Sequence, residues 1–393
     1  MSAERPQPNI DGSRVKDGLT TTPKQDIKIG LFNKGIKVSM AARAAIEGEE
    51  GRALSTSDYA STSGMALYMG DGIYVNAPIV DNNPNFVRED DTPYSLERDE
   101  NSGLIVLGGE EPVPVEYIPV PSYLDKTNDR GVPYRLLAIT HLDRVRISPV
   151  EGCAIACQFC NLPYEYKYSK HAVNDLVDSV RVAVEDPVVP AQHVLISGGT
   201  PKPEDYGYLN DVYENVAGTF PGLAVDIMMA PAGNLLEPRQ LKDFGIHGLS
   251  INLELWNRDI AKSKARGKYN IGRDEYLQFL DKAVDVFGPG KIRSLLMVGI
   301  EPLDDTLRGV EELAKRGVDP VLSPFRPDPA TPLRDEQPPS VELQTQAYLK
   351  AREIVDRYDG VVLGPRCIPD QHNTLSFPYK SDGSFYKHTY NPS

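Results

Sequence analysis

The stretch Ser148–Asn161 reads SPVEGCAIACQFCN and contains Cys153, Cys157 and Cys160. Their spacing, C-x3-C-x2-C, places three thiol groups in one short loop. Three thiolates this close in sequence can bind one compact soft-metal centre, whereas a four-iron cluster needs four iron ligands. The loop therefore predicts a [4Fe–4S] cluster with one iron left open for a substrate or cofactor.

A zinc site is the alternative interpretation of the same loop. His171 lies close enough in sequence to complete a Cys3His set, which is one of the common structural zinc sites. Such sites usually present two C-x2-C pairs, and this chain has only four cysteines in total. The spacing therefore favours iron, and the iron and zinc contents of the purified protein distinguish the two.

The composition predicts an ordinary globular protein. The chain has 393 residues, of which 40% are hydrophobic and 25% charged, with a net charge of −14. This charge repels phosphate and disfavours nucleic acid as a partner, although Arg258–Lys268 is either a local basic patch or a solvated loop. The sequence has no apolar run long enough for a membrane span and no secretory signal. Three of the four cysteines cluster, which argues against a disulfide framework and predicts a cytoplasmic protein.

After Arg144 short apolar runs alternate with amphipathic segments, which is typical of a parallel α/β sheet with crossover helices. The predicted strands are 144–150, 193–198, 224–230, 248–255, 292–299, 319–324 and 360–364. The predicted helices are 171–186, 204–218, 237–244, 273–287, 303–316 and 341–357. The strand count falls short of the eight of a closed TIM barrel, so we expect a partial, open β/α barrel.

The chain divides into four predicted segments. They are a flexible arm (1–30), a small β-rich accessory domain (31–140), the barrel (141–367) and a C-terminal extension (368–393). In the accessory domain, helical spacing predicts a helix over Lys34–Glu47. Alternating residues over Met65–Pro78 predict a hairpin that turns at Gly70-Asp71-Gly72.

The cysteine spacing, with the aromatic Phe159 directly before the third cysteine, resembles the radical S-adenosylmethionine (radical SAM) superfamily. In that family the open iron of the cluster chelates the amino and carboxylate groups of S-adenosylmethionine, and an electron then cleaves this cofactor to a 5′-deoxyadenosyl radical. The resemblance implies a biosynthetic enzyme that abstracts hydrogen from a small-molecule substrate, followed by rearrangement, cleavage or carbon–carbon bond formation. It also implies an electron donor such as flavodoxin or ferredoxin.

One further run resembles the Gly-Gly-Glu motif that holds the methionyl amino group of the cofactor in this family. It follows the second predicted strand, and glycines at a strand end allow a ligand to approach the backbone closely. Thr200 stands where the family has an acid. The run consists of Ser197, Gly198, Gly199 and Thr200.

Other stretches resemble the biotin synthase, thiamine-pathway and hydrogenase-maturation branch. Asn252 and Glu254, which a strand would place on one face with Ser250, resemble a motif that contacts the cofactor ribose. A solvent-facing polar stripe on an edge strand is the alternative. The resemblance assigns Arg273 to the cofactor carboxylate, against the alternative of an ordinary helix surface, and Ile300 to the adenine side.

The last predicted strand is followed by Arg366, Cys367 and His372. Barrel strands end at the reaction chamber, so we expect these residues to be catalytic and to face the substrate. Cys367 would give a hydrogen atom to a substrate radical, and a neighbouring cation would favour its thiolate. A buried, inert cysteine is the alternative.

Two other functions remain open from the sequence. Sulfur insertion of the biotin or lipoyl synthase type needs a sulfur source, which one spare cysteine does not supply. A non-enzymatic iron–sulfur or zinc protein could serve electron transfer or structure, although simple electron carriers ligate every iron. Cleavage of S-adenosylmethionine by the reduced protein separates these possibilities.

Overall fold

The computed structural model describes residues 14–16, 19–54, 64–81, 92–232, 234–380 and 382–385. Within these residues the strands are β1 (Arg14–Lys16), β2 (Leu19–Thr21), β3 (Lys37–Val38), β4 (Gly64–Tyr68), β5 (Tyr74–Pro78), β6 (Ser95–Asp99), β7 (Gly103–Leu107), β8 (Val113–Ile118), β9 (Ala138–His141), β10 (Arg144–Ile147), β11 (Val150–Glu151), β12 (Ser169–Lys170), β13 (His193–Ile196), β14 (Ala224–Met228), β15 (Gly248–Ser250), β16 (Ile292–Val298) and β17 (Asp319–Pro324). The helices are α1 (Pro23–Lys34), α2 (Met40–Glu50), α3 (Tyr134–Leu137), α4 (Leu162–Glu165), α5 (Val173–Val184), α6 (Tyr206–Thr219), α7 (Pro238–Asp243), α8 (Arg258–Lys264), α9 (Arg266–Ile271), α10 (Arg273–Phe287), α11 (Leu303–Lys315) and α12 (Val341–Val355).

A seven-stranded sheet carries the C-terminal two thirds of the described chain, in the order β17-β16-β15-β14-β13-β10-β9. Every neighbouring pair from β10 to β17 is parallel, and β9 joins the edge antiparallel to β10. Helices lie between the consecutive parallel strands, as in crossover βαβ units. This curled, open sheet confirms the predicted partial β/α barrel.

Strand β16 shows how the sequence builds the inside of the barrel. Its residues alternate between buried and half-buried over its whole length, because successive side chains of a strand point to opposite faces. Ile292, Leu296 and Val298 belong to the apolar core. Leu295 and Met297 point the other way and line the cavity at the barrel mouth.

The N-terminal part contains a six-stranded sheet in the order β3-β6-β7-β8-β4-β5. Strands β4 and β5 form the predicted hairpin, and Asp71 in its turn has a positive φ of 55°. Helix α1 packs against β5 and against α12 of the barrel. The accessory sheet is therefore attached to the barrel through α1.

The helix predicted over Lys34–Glu47 is confirmed from Met40 onward, where α2 begins, and is wrong before it, where α1 ends and the short strand β3 follows. Helix α1 ends before Gly35, which has a left-handed φ of 66°, and α2 begins after Ser39, whose hydroxyl accepts a hydrogen bond from the N–H of Ala42. The C-cap at Gly35 and the N-cap at Ser39 end one helix and begin the next within the apolar pattern that predicts a single helix. The predicted flexible arm is also wrong over residues 23–30, which lie in α1 and are largely buried. Its residues 1–13 and 17–18 lie outside the described part of the chain.

The strand predicted over 360–364 is wrong as well. Gly364 has a φ of 103°, and a Cβ atom there would lie 2.3 Å from Ser376, so the backbone turns instead of extending. The N–H of Val362 donates to Asp319 Oδ1 at the beginning of β17, at 3.0 Å. Further along the chain, the N–H of Leu375 donates to the carbonyl oxygen of Leu322 in β17, at 2.8 Å.

We call residues 361–377 the seam segment, because they lie between the two edges of the open barrel. Besides β17 the segment contacts β9, where the rings of His372 and His141 stack with centroids 6.2 Å apart. It also contacts β10, where Asp370 accepts from Arg144 at 2.7 Å. Lys28 of α1 donates to two of its carbonyl oxygens, those of Gln371 and Ser376. The segment thus joins both edges of the barrel to the N-terminal part.

None of the helices in the described ranges is both long enough and apolar enough to cross a lipid bilayer.

Candidate active site

The cysteine loop leaves the sheet after β10 and is closed at its base by a short antiparallel pair. Strand β11 pairs with β12, with Val150 opposite Lys170 and Glu151 opposite Ser169. Between them Gly152 adopts a φ of 67°, and a Cβ atom on it would lie 2.9 Å from the carbonyl oxygen of Tyr166. The loop is therefore held at both ends at the carboxyl edge of the sheet.

The run after β13 packs directly against this loop. A Cβ atom on Gly199 would lie 1.6 Å from the carbonyl oxygen of Gly152, so only glycine allows the two backbones to come so close. The N–H of Ala154 donates to the carbonyl oxygen of Thr200 at 2.9 Å. In return, the N–H of Thr200 donates to Cys153 Sγ at 3.2 Å. The two loops are locked together at the first cysteine.

A second contact comes from α8 and α9. The N–H of Gln158 donates to the carbonyl oxygen of Lys264 at 2.8 Å, and a Cβ atom on Gly267 would lie 2.5 Å from the side chain of Ile155. Cys157 is buried in an apolar cluster with residues of these helices. The basic stretch Arg258–Lys268 is therefore not a solvated loop, because most of it forms the two short helices α8 and α9, which pack on the cysteine loop.

A cavity of about 370 Å³ opens at the carboxyl ends of the parallel strands. The predicted site residues that line it are Cys153, Cys157, Phe159, Cys160, Ser197, Gly198, Thr200, Asn252 and Glu254. The structure thus brings together residues from the ends of β10, β13 and β15 that lie far apart in sequence. Gly199 does not line the cavity, because it packs against the backbone of Gly152 in the cysteine loop.

Asn252 and Glu254 follow the short strand β15 and are held by Lys268. The ammonium group of Lys268 donates to Glu254 Oε1 at 2.9 Å and to the carbonyl oxygen of Asn252 at 2.7 Å. Burial acts to lower the pKa of Lys268, but Glu254, Tyr276 and Cys157 together raise it above its usual value. Glu254 has a left-handed φ of 70°, a conformation that costs free energy in a residue with a side chain and is often found at functional sites.

Besides Gly199, the predicted cofactor-binding residues Arg273 and Ile300 do not line this cavity. The guanidinium group of Arg273 lies over the ring of Trp256, 4.3 Å from its centroid, and donates to the carbonyl oxygen of the same residue at 3.2 Å. Ile300 packs against the apolar cluster around Cys157. Arg273 is therefore absent from the described residues that line the cavity with the three cysteines.

Several lining residues were missed in the sequence. Arg146 comes from β10, where alternation with the buried Val145 and Ile147 could have marked it as pointing inward. Arg326 and Asn373 also line the cavity, and their side chains lie 3.4 Å apart. No local sequence pattern identifies Asn373 as a lining residue, because its position at the cavity depends on the path of the seam segment.

Arg366 and Cys367 lie at the opposite end of the barrel. Cys367 Sγ is 3.4 Å from Nε2 of His193, the first residue of β13, and Arg366 donates to Asp319, the first residue of β17, at 2.6 Å. The prediction that they lie over the barrel mouth is therefore wrong, because the supposed last strand does not exist. The predicted thiolate at Cys367 is wrong as well, since burial first, and then Asp370 and Asp143, raise the pKa of this thiol well above its usual value.

His372 does not face the cavity either. Its Nδ1 lies 2.7 Å from the carbonyl oxygen of Pro369 and its Nε2 lies 3.0 Å from the side-chain nitrogen of Asn373. Burial, and then the charge of Arg144, lower its pKa to about 3. His372 is thus a neutral, buried part of the seam segment.

The zinc alternative finds no fourth ligand in His171. Its ring Nε2 lies 3.6 Å from Glu151 Oε1. The backbone N–H of His171 donates to the carbonyl oxygen of Pro149. His171 is absent from the described residues that line the cavity with the three cysteines. The Cys3His set is not assembled.

The three cysteines fit an iron–sulfur cluster. Burial raises the pKa of Cys157 to about 12 and that of Cys160 to about 11, so these thiols need a cationic partner to become the thiolates that bind metal. Cys153 Sγ accepts from the N–H groups of Thr200 and Ile155 at 3.2 and 3.3 Å, and such hydrogen bonds to sulfur are found at clusters. A four-iron cluster in which three irons each take one thiolate suits this arrangement.

Comparison with known proteins agrees with this geometry. Residues 147–314 match the sequence model of the Radical SAM superfamily. This match covers less than half of the chain, from the last residue of β10 to α11. Members of this superfamily use a [4Fe–4S] cluster and S-adenosylmethionine, and the matched residues include all three cysteines of the loop.

The individual similarities to radical SAM proteins are partial. A curated relative, the bacteriochlorophyllide c C-7(1)-hydroxylase of Chlorobaculum limnaeum, is 28% identical over 138 residues, which are 35% of this chain and 34% of that protein. The chain thus matches about a third of the length of this relative. A crystal structure of HydG, a maturase of the [FeFe]-hydrogenase, has a TM-score of 0.45 at 16% identity and covers 56% of this chain and 50% of its own. A radical SAM methyltransferase from Sphaerobacter thermophilus has a TM-score of 0.45 at 16% identity, over 72% of this chain and 80% of its own.

Proposed function

We propose that this protein reductively cleaves S-adenosylmethionine at a [4Fe–4S] cluster held by Cys153, Cys157 and Cys160, and that it uses the product radical to abstract hydrogen from a small molecule. One observation carries the proposal. The three cysteines share a single cavity of about 370 Å³ with the strand-end residues Asn252 and Glu254. When bound, the cluster and S-adenosylmethionine would supply the radical chemistry, and the protein positions the reactants and excludes water.

The glycine run after β13 is suited to the amino-acid end of the cofactor. Backbone groups of Ser197 and Gly198 border the cavity next to Cys153. Glu254 offers carboxylate oxygens to hydroxyl groups, as a ribose requires, and Lys268 fixes one of these oxygens. Phe159 and Met297 add apolar surface to the same cavity. These residues bind and orient the cofactor without taking part in bond breaking.

The substrate that fits best carries an anionic group. Besides Lys268, which is held by Glu254, the cationic side chains lining the cavity are Arg146 and Arg326. Arginine guanidinium groups bind carboxylate and phosphate groups well, because their donors match two acceptor oxygens. Asp328 and Asn373 line the same cavity and add polar contacts. The electron would come from a donor of the flavodoxin or ferredoxin type.

Sulfur insertion is disfavoured by the position of the remaining cysteine. Cys367, the only cysteine outside the loop, lies at the amino ends of β13 and β17. It cannot hold a second cluster in this cavity without refolding of the seam segment.

The proposal is tested by reducing the anaerobically reconstituted protein in the presence of S-adenosylmethionine and measuring 5′-deoxyadenosine and methionine. We expect both products from the wild type and from Gly207→Ala, where a Cβ atom meets nothing within 4 Å. We expect neither product from Cys157→Ala. Equal product formation by Cys157→Ala, or stoichiometric zinc with no iron uptake in the wild type, contradicts the proposal.

A further inference from the structure

Four side chains from three distant parts of the chain meet at the amino end of the barrel, opposite the cysteine loop. Asp143 lies in the turn between β9 and β10, His193 begins β13, and Cys367 and Asp370 belong to the seam segment. Each offers one ligand atom, and these atoms all lie within 4.8 Å of one another. In the ranges that the structure describes, no other group of three or more His, Cys, Asp or Glu side chains meets this condition.

The separations among Asp143, His193 and Cys367 match the edges of a coordination tetrahedron, and Asp370 Oδ2 lies 4.0 Å from His193 Nε2. His193 Nε2 lies 3.4 Å from Asp143 Oδ1 and 3.4 Å from Cys367 Sγ, and Cys367 Sγ lies 3.5 Å from both oxygens of Asp143. Typical Zn–N, Zn–O and Zn–S bond lengths in a tetrahedron place such ligand atoms roughly 3.4–3.6 Å apart. The 3.4 Å between His193 Nε2 and Asp143 Oδ1 is long for an N–H···O hydrogen bond, which is usually about 2.7–3.2 Å, whereas the distances to Cys367 Sγ are ordinary for sulfur.

Asp370 supplies an independent observation. Its side chain is 2% exposed, and while Oδ2 accepts from Arg144, the buried Oδ1 accepts no hydrogen bond from any residue in the described part of the chain. A buried carboxylate oxygen without a partner is costly. A metal ion next to Oδ1 would satisfy it.

The local charges are also those of a site for a divalent ion. The carboxylates of Asp143 and Asp370 and a thiolate at Cys367 would carry one negative charge more than a divalent ion neutralises. The guanidinium group of Arg144 supplies the remaining positive charge. The other nearby arginines are engaged elsewhere, Arg293 with Asp226 and Arg366 with Asp319.

We propose that Asp143, His193, Cys367 and Asp370 bind one divalent transition-metal ion, with zinc as the best fit, at a site separate from the iron–sulfur cluster. The donor set of one thiolate, one imidazole and two carboxylates suits zinc and excludes magnesium and calcium, which take oxygen ligands. The ion pins the seam segment to the amino ends of β10 and β13. Binding releases the thiol proton to solvent, and Asp143, whose side chain is 21% exposed, marks the side from which the ion enters.

The test uses the full chain with its cluster reconstituted, so that iron occupies Cys153, Cys157 and Cys160. The protein is incubated with zinc sulfate and desalted, and its metals are measured together with zinc-edge X-ray absorption. We expect about one zinc per chain, with one sulfur at about 2.3 Å and nitrogen or oxygen ligands at about 2.0–2.2 Å. A chain that retains no zinc overturns the proposal, as does a zinc shell of three sulfurs, which would place zinc at the cluster loop.

Variants provide the second arm. Cys367→Ser and His193→Ala should keep their iron but lose zinc affinity by more than about a hundredfold, since even a group that only orients a ligand contributes about 10- to 100-fold. His247→Ala is the matched control, because His247 lies at the same end of the barrel and pairs with Asp226 at 3.1 Å. Unchanged zinc affinity in both ligand variants overturns the proposal. If neither variant folds, the absorption spectrum of the wild type decides by itself.

Discussion

The backbone N–H of Thr200 donates a hydrogen bond to Cys153 Sγ at 3.2 Å, although 47 residues separate the two in sequence. The first cysteine of the loop is therefore oriented by the run that follows the neighbouring strand β13. The three-cysteine motif looks local in the sequence, but its geometry depends on the close contact between Gly199 and Gly152. This contact makes the cluster site sensitive to changes outside the motif.

A first prediction concerns Gly199→Ala. The added Cβ would lie 1.6 Å from the carbonyl oxygen of Gly152, so the two loops must separate and the N–H of Thr200 must leave Cys153. We expect the reconstituted variant to hold clearly less iron and sulfide per chain, with the helical content unchanged by circular dichroism. Gly207→Ala, which meets nothing within 4 Å, should bind iron like the wild type. A full complement of iron in Gly199→Ala would show that the contact does not matter.

A second prediction separates Glu254 from Arg273. Glu254 lines the cavity, whereas Arg273 is engaged with Trp256. Since a hydrogen bond to a charged group contributes about 1.5–3 kcal/mol, Glu254→Gln should weaken S-adenosylmethionine binding about tenfold or more. Arg273→Ala should weaken it less. Anaerobic equilibrium binding of the cofactor measures both, and a larger loss in Arg273→Ala would contradict the placement of that arginine.

A third prediction concerns Lys28, which is buried and whose pKa burial lowers well below 10.5. Between the lowered folded-state pKa and 10.5 the unfolded chain binds a proton that the folded chain has released. In that range the free energy of unfolding therefore rises with pH, by up to about 1.4 kcal/mol per pH unit. Lys28→Met should lack this contribution, so its stability should rise less steeply between pH 7 and about 9.5. Denaturant unfolding at several pH values measures both slopes, and equal slopes would refute the prediction.

A fourth prediction tests the pair that anchors the beginning of the seam segment. Asp319 is 3% exposed in its side chain and accepts from Arg366 at 2.6 Å. Arg366→Gln leaves this carboxylate buried without its cation, which should lower the free energy of unfolding by about 3–5 kcal/mol. Adding Asp319→Asn should recover part of the loss. The exposed pair Arg334–Asp335 gives the control, where Arg334→Gln should change stability by less than about 1 kcal/mol.

The barrel could be predicted because its strands and helices carry their own patterns. The predicted helix over 273–287 coincides with α10, and the strand over 319–324 coincides with β17. The cysteine loop and the glycine run were assigned to one site through their resemblance to radical SAM motifs, and both follow parallel strands, whose carboxyl ends meet at the same edge of the sheet.

The rest depended on long-range contacts that leave no local pattern. An apolar run at 360–364 looked like a strand, but Asp319 and the left-handed Gly364 redirect it. This one error moved Cys367 from the amino end of the barrel to its mouth. Lys268 was missed because its role depends on how α9 packs against the end of β15.

The seam segment has a consequence for synthesis of the protein. The acceptors of Lys28 lie 343 and 348 residues further along the chain. Both edge strands of the barrel, β9 and β17, are also synthesised before residues 361–377. During that interval the flanks of β9 and β17 have no cover, and such exposed strand edges favour association with other unfinished chains. Docking of the seam segment therefore covers two strand edges that would otherwise favour such association.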